Sequence, residues 1–157
     1  KRQAFFYPLD FLRHWNRLYG RRGFAQYQCV LPLEEDGRAY RRFFDVLTSM
    51  GGASPVVVIK DCGAQGRGLL SFPMPGISIA LDLPFQRGHT QALVDALNRI
   101  VIDAGGRIYL TKDALTRPEH LQAMEPRLAA FQQVRDKWDP DRRVRSAQSV
   151  RLLGDPA

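Results

Sequence analysis

The sequence has little cysteine and little histidine: two cysteines and three histidines occur in 157 residues. Cys29 and Cys62 fall on separate predicted strands, and strand alternation directs them to opposite faces of a sheet, which argues against a disulfide. No cysteine or histidine spacing matches a metal site or a redox pair. The sequence therefore predicts no metal cofactor.

Long apolar runs are also missing. No stretch approaches the roughly 20 apolar residues of a membrane span, and the N-terminus has no signal-like segment, so we expect a soluble, cytoplasmic protein without a membrane span. With 45% hydrophobic residues, residues 1–157 suffice for one domain with its own core. The chain enters an apolar segment directly after Lys1, which suggests a part of something longer.

Acidic residues are outnumbered by basic ones, giving a net charge of +7. A basic balance suits binding to nucleic acid or another acidic surface. Much of the excess is arginine dispersed along the chain, at Arg21-Arg22, Arg41-Arg42 and residues 142–145. We interpret this dispersed arginine as solvated surface.

Alternating and helical apolar patterns predict six main elements. They are a strand over residues 23–32, a helix opened by Asp36-Gly37, strands over 56–60 and 77–83, a helix carrying Leu93 to Ala104, and a strand from Arg107. Each helix ends at a glycine pair, a usual helix stop. The order β-α-β-β-α-β predicts an α+β, ferredoxin-like antiparallel sheet with helices on one face.

Helical extensions flank this unit. Asp10 is predicted to cap a helix that ends at Gly20, with Trp15 and Leu18 on its apolar face. A capping box at Thr116 predicts a second helical region that runs to Trp138. We expect both tryptophans to be core or interface anchors.

Two further segments are predicted to be irregular. The glycine-rich residues 63–68 lack the strand-turn-helix context of a phosphate loop and are predicted to be a flexible connection. The arginine-rich end after Asp141 is expected to be loosely held.

Strand alternation assigns side chains to two sheet faces. The helix-covered face takes Ala25, Tyr27, Cys29, Leu31, Val57, Ile59, Ile77, Ile79, Leu81, Ile108 and Leu110. The opposite face takes Gln26, Gln28, Val58, Lys60, Ser78, Ala80, Asp82, Tyr109 and Thr111. This face could be merely hydrated, as in many antiparallel sheets. Its glutamines favour a binding surface, because solvated strands more often carry Thr, Lys or Glu.

The segment 105–113 is the most informative in the chain. A short alternating strand runs into Tyr109 and Lys112, and a lysine is costly to desolvate unless it meets an anion or dipole. Strict alternation would send Lys112 beneath Leu110, so we expect it past the strand end or beyond a bulge, close to Tyr109. The alternative is a solvated strand end. No complete catalytic triad, carboxylate pair or metal cluster can be assembled from this sequence.

Five motifs, taken together in order, resemble a known family. They are residues 7–10, 15–20, 23–28, 70–73 and 106–113. They resemble the C-terminal, substrate-binding part of FAD-linked sugar and alditol oxidases of the vanillyl-alcohol-oxidase type, including decaprenylphosphoryl-β-D-ribose 2-oxidase. The similarity runs through nearly the whole chain.

The resemblance implies an oxidoreductase acting on CH–OH groups, in which hydride passes from a sugar-like or polyol substrate to FAD. It implies that FAD is bound mainly by an N-terminal domain of the same polypeptide that is absent from this chain. Residues 1–157 would then be the cap that shapes the substrate pocket. We expect the isolated chain to be inactive.

The resemblance also implies residue roles. Lys112 would act in catalysis and contact the cofactor, with Tyr109 beside it. Gln26, Gln28 and Lys60 would bind substrate. Ser78 and Ala80 would line the same pocket, where the mycobacterial-type enzymes have asparagine and cysteine, and Cys62 replaces a usual aromatic residue. These differences leave open the substrate, including whether it is lipid-linked.

Two other interpretations of the sequence stay open. A ferredoxin-like nucleic-acid-binding module would suit the basic charge and an exposed sheet. Such modules place stacking aromatics on the central strands, where this chain has Gln26, Gln28, Ser78 and Ala80. With an oxidase as the leading interpretation, no nucleic-acid partner is expected. The third interpretation is that the chain is a small-molecule regulatory module.

Overall fold

The computed structural model describes residues 2–6, 13–34, 36–52 and 54–157. Within these ranges the elements, in chain order, are α1 (Arg2–Phe6), a 3₁₀ helix (Trp15–Tyr19), β1 (Phe24–Pro32), α2 (Arg38–Ser49), β2 (Val57–Cys62), β3 (Gly76–Pro84), α3 (His89–Asp103), β4 (Arg107–Ile108), a 3₁₀ turn (Leu110–Lys112), α4 (Pro118–Met124), α5 (Leu128–Trp138) and α6 (Ala147–Leu153). The predicted α+β class is confirmed. Across the described ranges, no helix has the length and apolar character needed to cross a bilayer.

The four strands form one antiparallel sheet in the order β2-β3-β1-β4. This order makes β1 and β3 the central strands, as expected from the sequence. Gln28 lies opposite Ala80 across the central pair. On the other side of β3, Val58 lies opposite Ala80 and Lys60 opposite Ser78. The register therefore fixes which side chains share a face.

Helices α2 and α3 bury the apolar face of the central strands. The core comprises Tyr27, Cys29, Leu31, Phe43, Leu47, Ile79, Leu81, Leu83, Leu93, Leu97, Val101 and Ile108, among others. Each fully buried large apolar side chain contributes roughly 1.5–3 kcal/mol of transfer free energy. Burial also raises the pKa of the Cys29 thiol to about 12, which makes it unreactive. Both cysteines are free, as predicted.

Glycines end both core helices, as the sequence predicts. Gly51 and Gly105 have φ of 66° and 68°, in the left-handed region that favours glycine. Gly106 is required for a second reason: a Cβ there would lie 2.3 Å from the Val30 carbonyl oxygen. Strand β4 can approach β1 closely because this position has no side chain.

The edge strand β2 departs from the prediction. Val57 and Ile59 were expected on the buried face, yet Val57 is 43% and Ile59 57% exposed. The strand residues in the core with α2 and α3 come from β1, β3 and β4. Alternation therefore assigned Val57 and Ile59 to the correct face, but the prediction that they are buried is wrong.

The N-terminal helix is shorter than predicted. The 3₁₀ helix begins at Trp15, and the predicted cap Asp10 lies outside the described residues. Leu18 is 69% exposed, so it does not contribute to the core of this chain. The tighter 3₁₀ winding directs Tyr19 instead against Phe24, with ring centroids 4.1 Å apart.

The C-terminal helical region also differs. Helix α4 begins at Pro118 after Arg117, and no side chain caps it, so the predicted Thr116 capping box is wrong. The Thr116 hydroxyl instead accepts a hydrogen bond from Asn98 Nδ2 at 3.0 Å. Trp138 ends α5 as predicted but is 78% exposed, so it is not a core residue of this chain.

The end after Asp141 is held rather than loose. Helix α6 begins with a capping box at Ser146. Asp155 is buried and accepts two hydrogen bonds from Arg135, at 3.0 and 2.6 Å. The bidentate arginine–carboxylate geometry fixes the terminus to α5.

Candidate functional site

The sheet face opposite α2 and α3 carries the predicted polar residues. We call it the polar face and define it as Gln26, Gln28, Val30, Val58, Lys60, Ser78, Ala80 and Asp82. Side chains directly opposite in an antiparallel pair share a face, as do alternate residues of one strand. The register therefore places Gln28 and Lys60 on one side of the sheet, as the sequence analysis requires.

One half of the polar face is covered. Gln28 is 3% exposed, and Ser78 and Val30 are fully buried. The Gln28 amide donates from Nε2 to Ser78 Oγ at 2.8 Å. The expectation of a wholly hydrated or open face is therefore wrong for this half.

Residues 65–72, which overlap the predicted flexible connection at 63–68, lie at the Tyr109 end of this half. Phe72 is buried, and its ring packs on Tyr109 with centroids 4.7 Å apart. The segment has internal hydrogen bonds: Gly66 N donates to Ser71 Oγ at 2.9 Å, and Ser71 N donates to Gly68 O at 3.0 Å. The glycine-rich composition indicated backbone freedom but not these anchors.

Tyr109 lies beside Gln28. Its backbone N–H donates to Gln28 O at 2.7 Å, immediately after β4 ends at Ile108. Because Ile108 faces the helices, the next side chain points to the polar face. Tyr109 therefore extends the row that runs through Gln28 and Ala80.

Lys112 lies past the strand end, as predicted. It closes the 3₁₀ turn, and its N–H donates to Tyr109 O at 2.9 Å. This bond closes one turn of backbone between Tyr109 and Lys112, so the two residues are neighbours in the structure. Neither Leu110 nor Thr111 is a strand residue, but Leu110 packs against the core as predicted.

The other half of the polar face is more exposed. Asp82 accepts hydrogen bonds from Gln26 Nε2 at 3.0 Å and from the Tyr19 hydroxyl at 2.6 Å. The pKa of Tyr19 is raised to about 12, chiefly by burial and then by its hydrogen bond to Asp82 and the charge of that carboxylate. Lys60 is exposed on the edge strand. Asp82 thus orients Gln26, a role that sequence reasoning missed.

The turn that carries Lys112 is held by α6. Gln148 Nε2 donates to Leu110 O at 2.6 Å. Arg151 donates to Asp113 Oδ2 at 2.7 Å, and Asp113 also accepts from Thr116 N at 2.8 Å. No local sequence signal marks Gln148 or Arg151, because each acts on residues more than 30 positions away.

The polar face, rather than a deep cavity, is the candidate site. A cleft of about 490 Å³ lies between α4, α5 and α6, and none of the predicted site residues lines it. Among the residues with described positions, no group of three histidine, cysteine, aspartate or glutamate side chains could hold a metal ion. The polar face offers two amides, a hydroxyl, a carboxylate and the Lys60 ammonium group, and the adjoining Tyr109 and Lys112 add a phenol and a second ammonium group.

Comparison with known proteins gives two kinds of match. Residues 77–152 match the family model described as D-arabinono-1,4-lactone oxidase. The chain is 38% identical over 148 residues to decaprenylphosphoryl-beta-D-ribose oxidase of Mycolicibacterium smegmatis, covering 94% of this chain and 32% of that protein. It is also 38% identical over 104 residues to an uncharacterized protein in the mprA 5′ region of Streptomyces coelicolor, covering 66% of this chain and 28% of that protein.

These matches confirm the resemblance found in the sequence. The chain spans about a third of the length of the curated relatives it matches. Within that span the relationship extends over nearly the whole of this chain. The chain is related to FAD-linked oxidases.

Proposed function

We propose that this chain, a relative of FAD-linked oxidases, is the cap of an FAD-dependent oxidoreductase that acts on a sugar or polyol CH–OH group. The observation that carries the proposal is the position of the half-buried Tyr109 and Lys112 just past the end of β4, next to Gln28. In this proposal the exposed half of the polar face, together with Tyr109 and Lys112, closes over a flavin held mainly by another domain of the same polypeptide.

The donor set of the polar face fits a flavin and a polyhydroxyl substrate. When bound, FAD supplies the capacity to accept two electrons from the substrate. Lys112 is half-buried, and its ammonium group would donate to an oxygen or nitrogen of the flavin or to the substrate hydroxyl. A fixed positive charge there stabilises negative charge that develops during oxidation.

Gln26 and Lys60 are assigned to substrate hydroxyls. Because Asp82 accepts from Gln26 Nε2, the Gln26 Oε1 carbonyl is oriented to accept from a hydroxyl group. Lys60, exposed on the edge strand, would donate to a hydroxyl or a phosphoryl oxygen. The name of the mycobacterial relative contains a phosphoryl-ribose, which supports a phosphorylated sugar as one candidate substrate.

Gln28, Ser78 and Ala80 are assigned to the shape of the pocket. Gln28 is fixed by its bond to Ser78, so its amide has one defined orientation in the row next to Tyr109. Ala80, itself 8% exposed, lies between Gln28 and Val58 across the three strands. A rigid floor of this kind would hold the exposed residues of the polar face in fixed positions for a substrate.

Expression of the chain within the longer polypeptide that contains its flavin-binding domain tests the proposal. We expect this protein to contain FAD and to oxidise a sugar or polyol in a panel of such substrates. The chain alone, supplied with free FAD, is the control and should give no turnover. A longer polypeptide that never takes up FAD, or an isolated chain with full turnover, would contradict the proposal.

A further inference from the structure

We infer that Phe72 is a positioning residue for Tyr109, and that Arg107 and Arg127 hold Phe72 in place. The inference rests on the proposed function, since positioning matters only if Tyr109 faces the reaction. It gives a role to residues 65–72, which the proposed function does not use.

The Tyr109 ring is bounded on one side by Phe72. The two ring planes make an angle of 31° at a centroid separation of 4.7 Å. The Tyr109 backbone is fixed independently by its hydrogen bond to Gln28 O. With the backbone held by β1 and one ring face against Phe72, the side chain has little freedom to leave the polar face.

Two arginines converge on the residue before Phe72. The Ser71 carbonyl oxygen accepts from Arg107 Nη1 at 3.0 Å and from Arg127 Nη2 at 2.9 Å. Arg107 also donates to Gln65 Oε1 at 3.0 Å, and Arg127 to Gly68 O at 3.3 Å. The segment is therefore held at Gln65, Gly68 and Ser71. Ser71 accepts two of these bonds, and Phe72 is the next residue in the chain.

Burying the Arg107 guanidinium costs free energy, which argues for a specific role of this side chain. The Arg107 side chain is 12% exposed, and Arg107 Nε is buried with no hydrogen-bond partner in the described part of the chain. Glu125 is nearly buried and forms a two-bond pair with Arg127, at 2.7 Å for both bonds, while Arg107 lies 3.9 Å away. An apolar residue in place of Arg107 would avoid this desolvation. An apolar residue could not make the bonds from Arg107 to Ser71 O and Gln65 Oε1, which hold the segment 65–72.

The test uses the FAD-containing longer polypeptide and separates position from stability. Phe72→Leu removes the ring but keeps an apolar side chain. We expect kcat to fall about tenfold or more, with KM changed less than about twofold and FAD content unchanged. Phe131→Leu, at a half-buried phenylalanine on α5, is the matched control and should leave both constants at wild-type values. Wild-type kcat in Phe72→Leu would overturn the inference.

Hydrogen exchange tests the arginines without relying on turnover. In Arg107→Met and Arg127→Met, we expect amide exchange in residues 65–72 to rise about tenfold and kcat to fall as in Phe72→Leu. Arg143→Met, at an exposed arginine, is the control and should change neither. Unchanged exchange in both variants would overturn the role of the arginines. Faster exchange with wild-type kcat would overturn the link to Tyr109.

These outcomes are distinguishable from failure of the proposed function. A longer polypeptide without FAD would remove the proposed function and the catalytic role of Phe72 with it. Even then, the exchange measurement decides whether Arg107 and Arg127 hold the segment.

Discussion

Gln28 and Ser78 form a buried hydrogen bond, Nε2 to Oγ at 2.8 Å, in the centre of the polar face. Ser78→Ala would leave the amide donor without this partner, and an unsatisfied buried polar group costs about 1–3 kcal/mol. We expect the free energy of unfolding, measured by urea denaturation, to fall by about that amount. Ser49→Ala, at the exposed end of α2, is the control and should change it by less than about 0.5 kcal/mol. Equal stability of the two variants would show that the bond contributes nothing.

The Tyr19–Asp82 contact predicts a dependence on alkaline pH. The folded-state pKa of Tyr19, about 12, lies above its ordinary value of 10.0, chiefly because of burial. The folded protein therefore holds this proton more tightly, and the resulting stabilisation is complete below pH 10 and is lost as the pH rises toward 12. We expect the stability difference between wild type and Tyr19→Phe to shrink over this range. A difference that stays constant with pH would contradict the coupling.

The Arg151–Asp113 pair predicts that α6 supports the Lys112 turn. The Asp113 side chain is 4% exposed and pairs with Arg151 at 2.7 Å. Arg151→Met removes a charged hydrogen-bond donor, which is worth about 1.5–3 kcal/mol, and we expect that loss in the free energy of unfolding. In the FAD-containing polypeptide we also expect a lower kcat, because Lys112 loses its support. Arg143→Met serves as the control, and equal behaviour of the two variants would refute this role.

The central strands and their faces could be predicted from the sequence. Alternation through Gln26, Gln28 and Val30 assigns the faces of β1 correctly because one face is buried by helices that end at glycine pairs. A one-residue slip would exchange the two faces, so the register is strongly specified. The predicted neighbourhood of Tyr109 and Gln28 follows from this pattern.

The supports of the site could not be predicted. Residues 65–72 are held by Arg107 and Arg127, and the C-terminal end by Arg135 and Asp155, all through partners distant in sequence. In the sequence these arginines are indistinguishable from solvated surface charge. Local composition reports backbone freedom, whereas order here depends on tertiary hydrogen bonds.

The short β4 was also beyond sequence reasoning. Apolar alternation through Leu110 favoured a longer strand, but the chain turns after Ile108 into a 3₁₀ turn. In this turn the Lys112 N–H donates to Tyr109 O, as expected for three residues per turn. A single turn is too short to produce a repeating apolar pattern in the sequence.

The most direct test of the account is the anaerobic rate at which substrate reduces the bound flavin in Lys112→Met, measured from the visible absorbance of the longer polypeptide. We expect that rate to fall about 10²–10³-fold relative to wild type in the FAD-loaded fraction, because the positive charge proposed to stabilise the reaction is lost. Lys137→Met, at an exposed lysine on α5, should reduce flavin at the wild-type rate. A wild-type rate in FAD-loaded Lys112→Met would contradict the claim that this face meets the flavin.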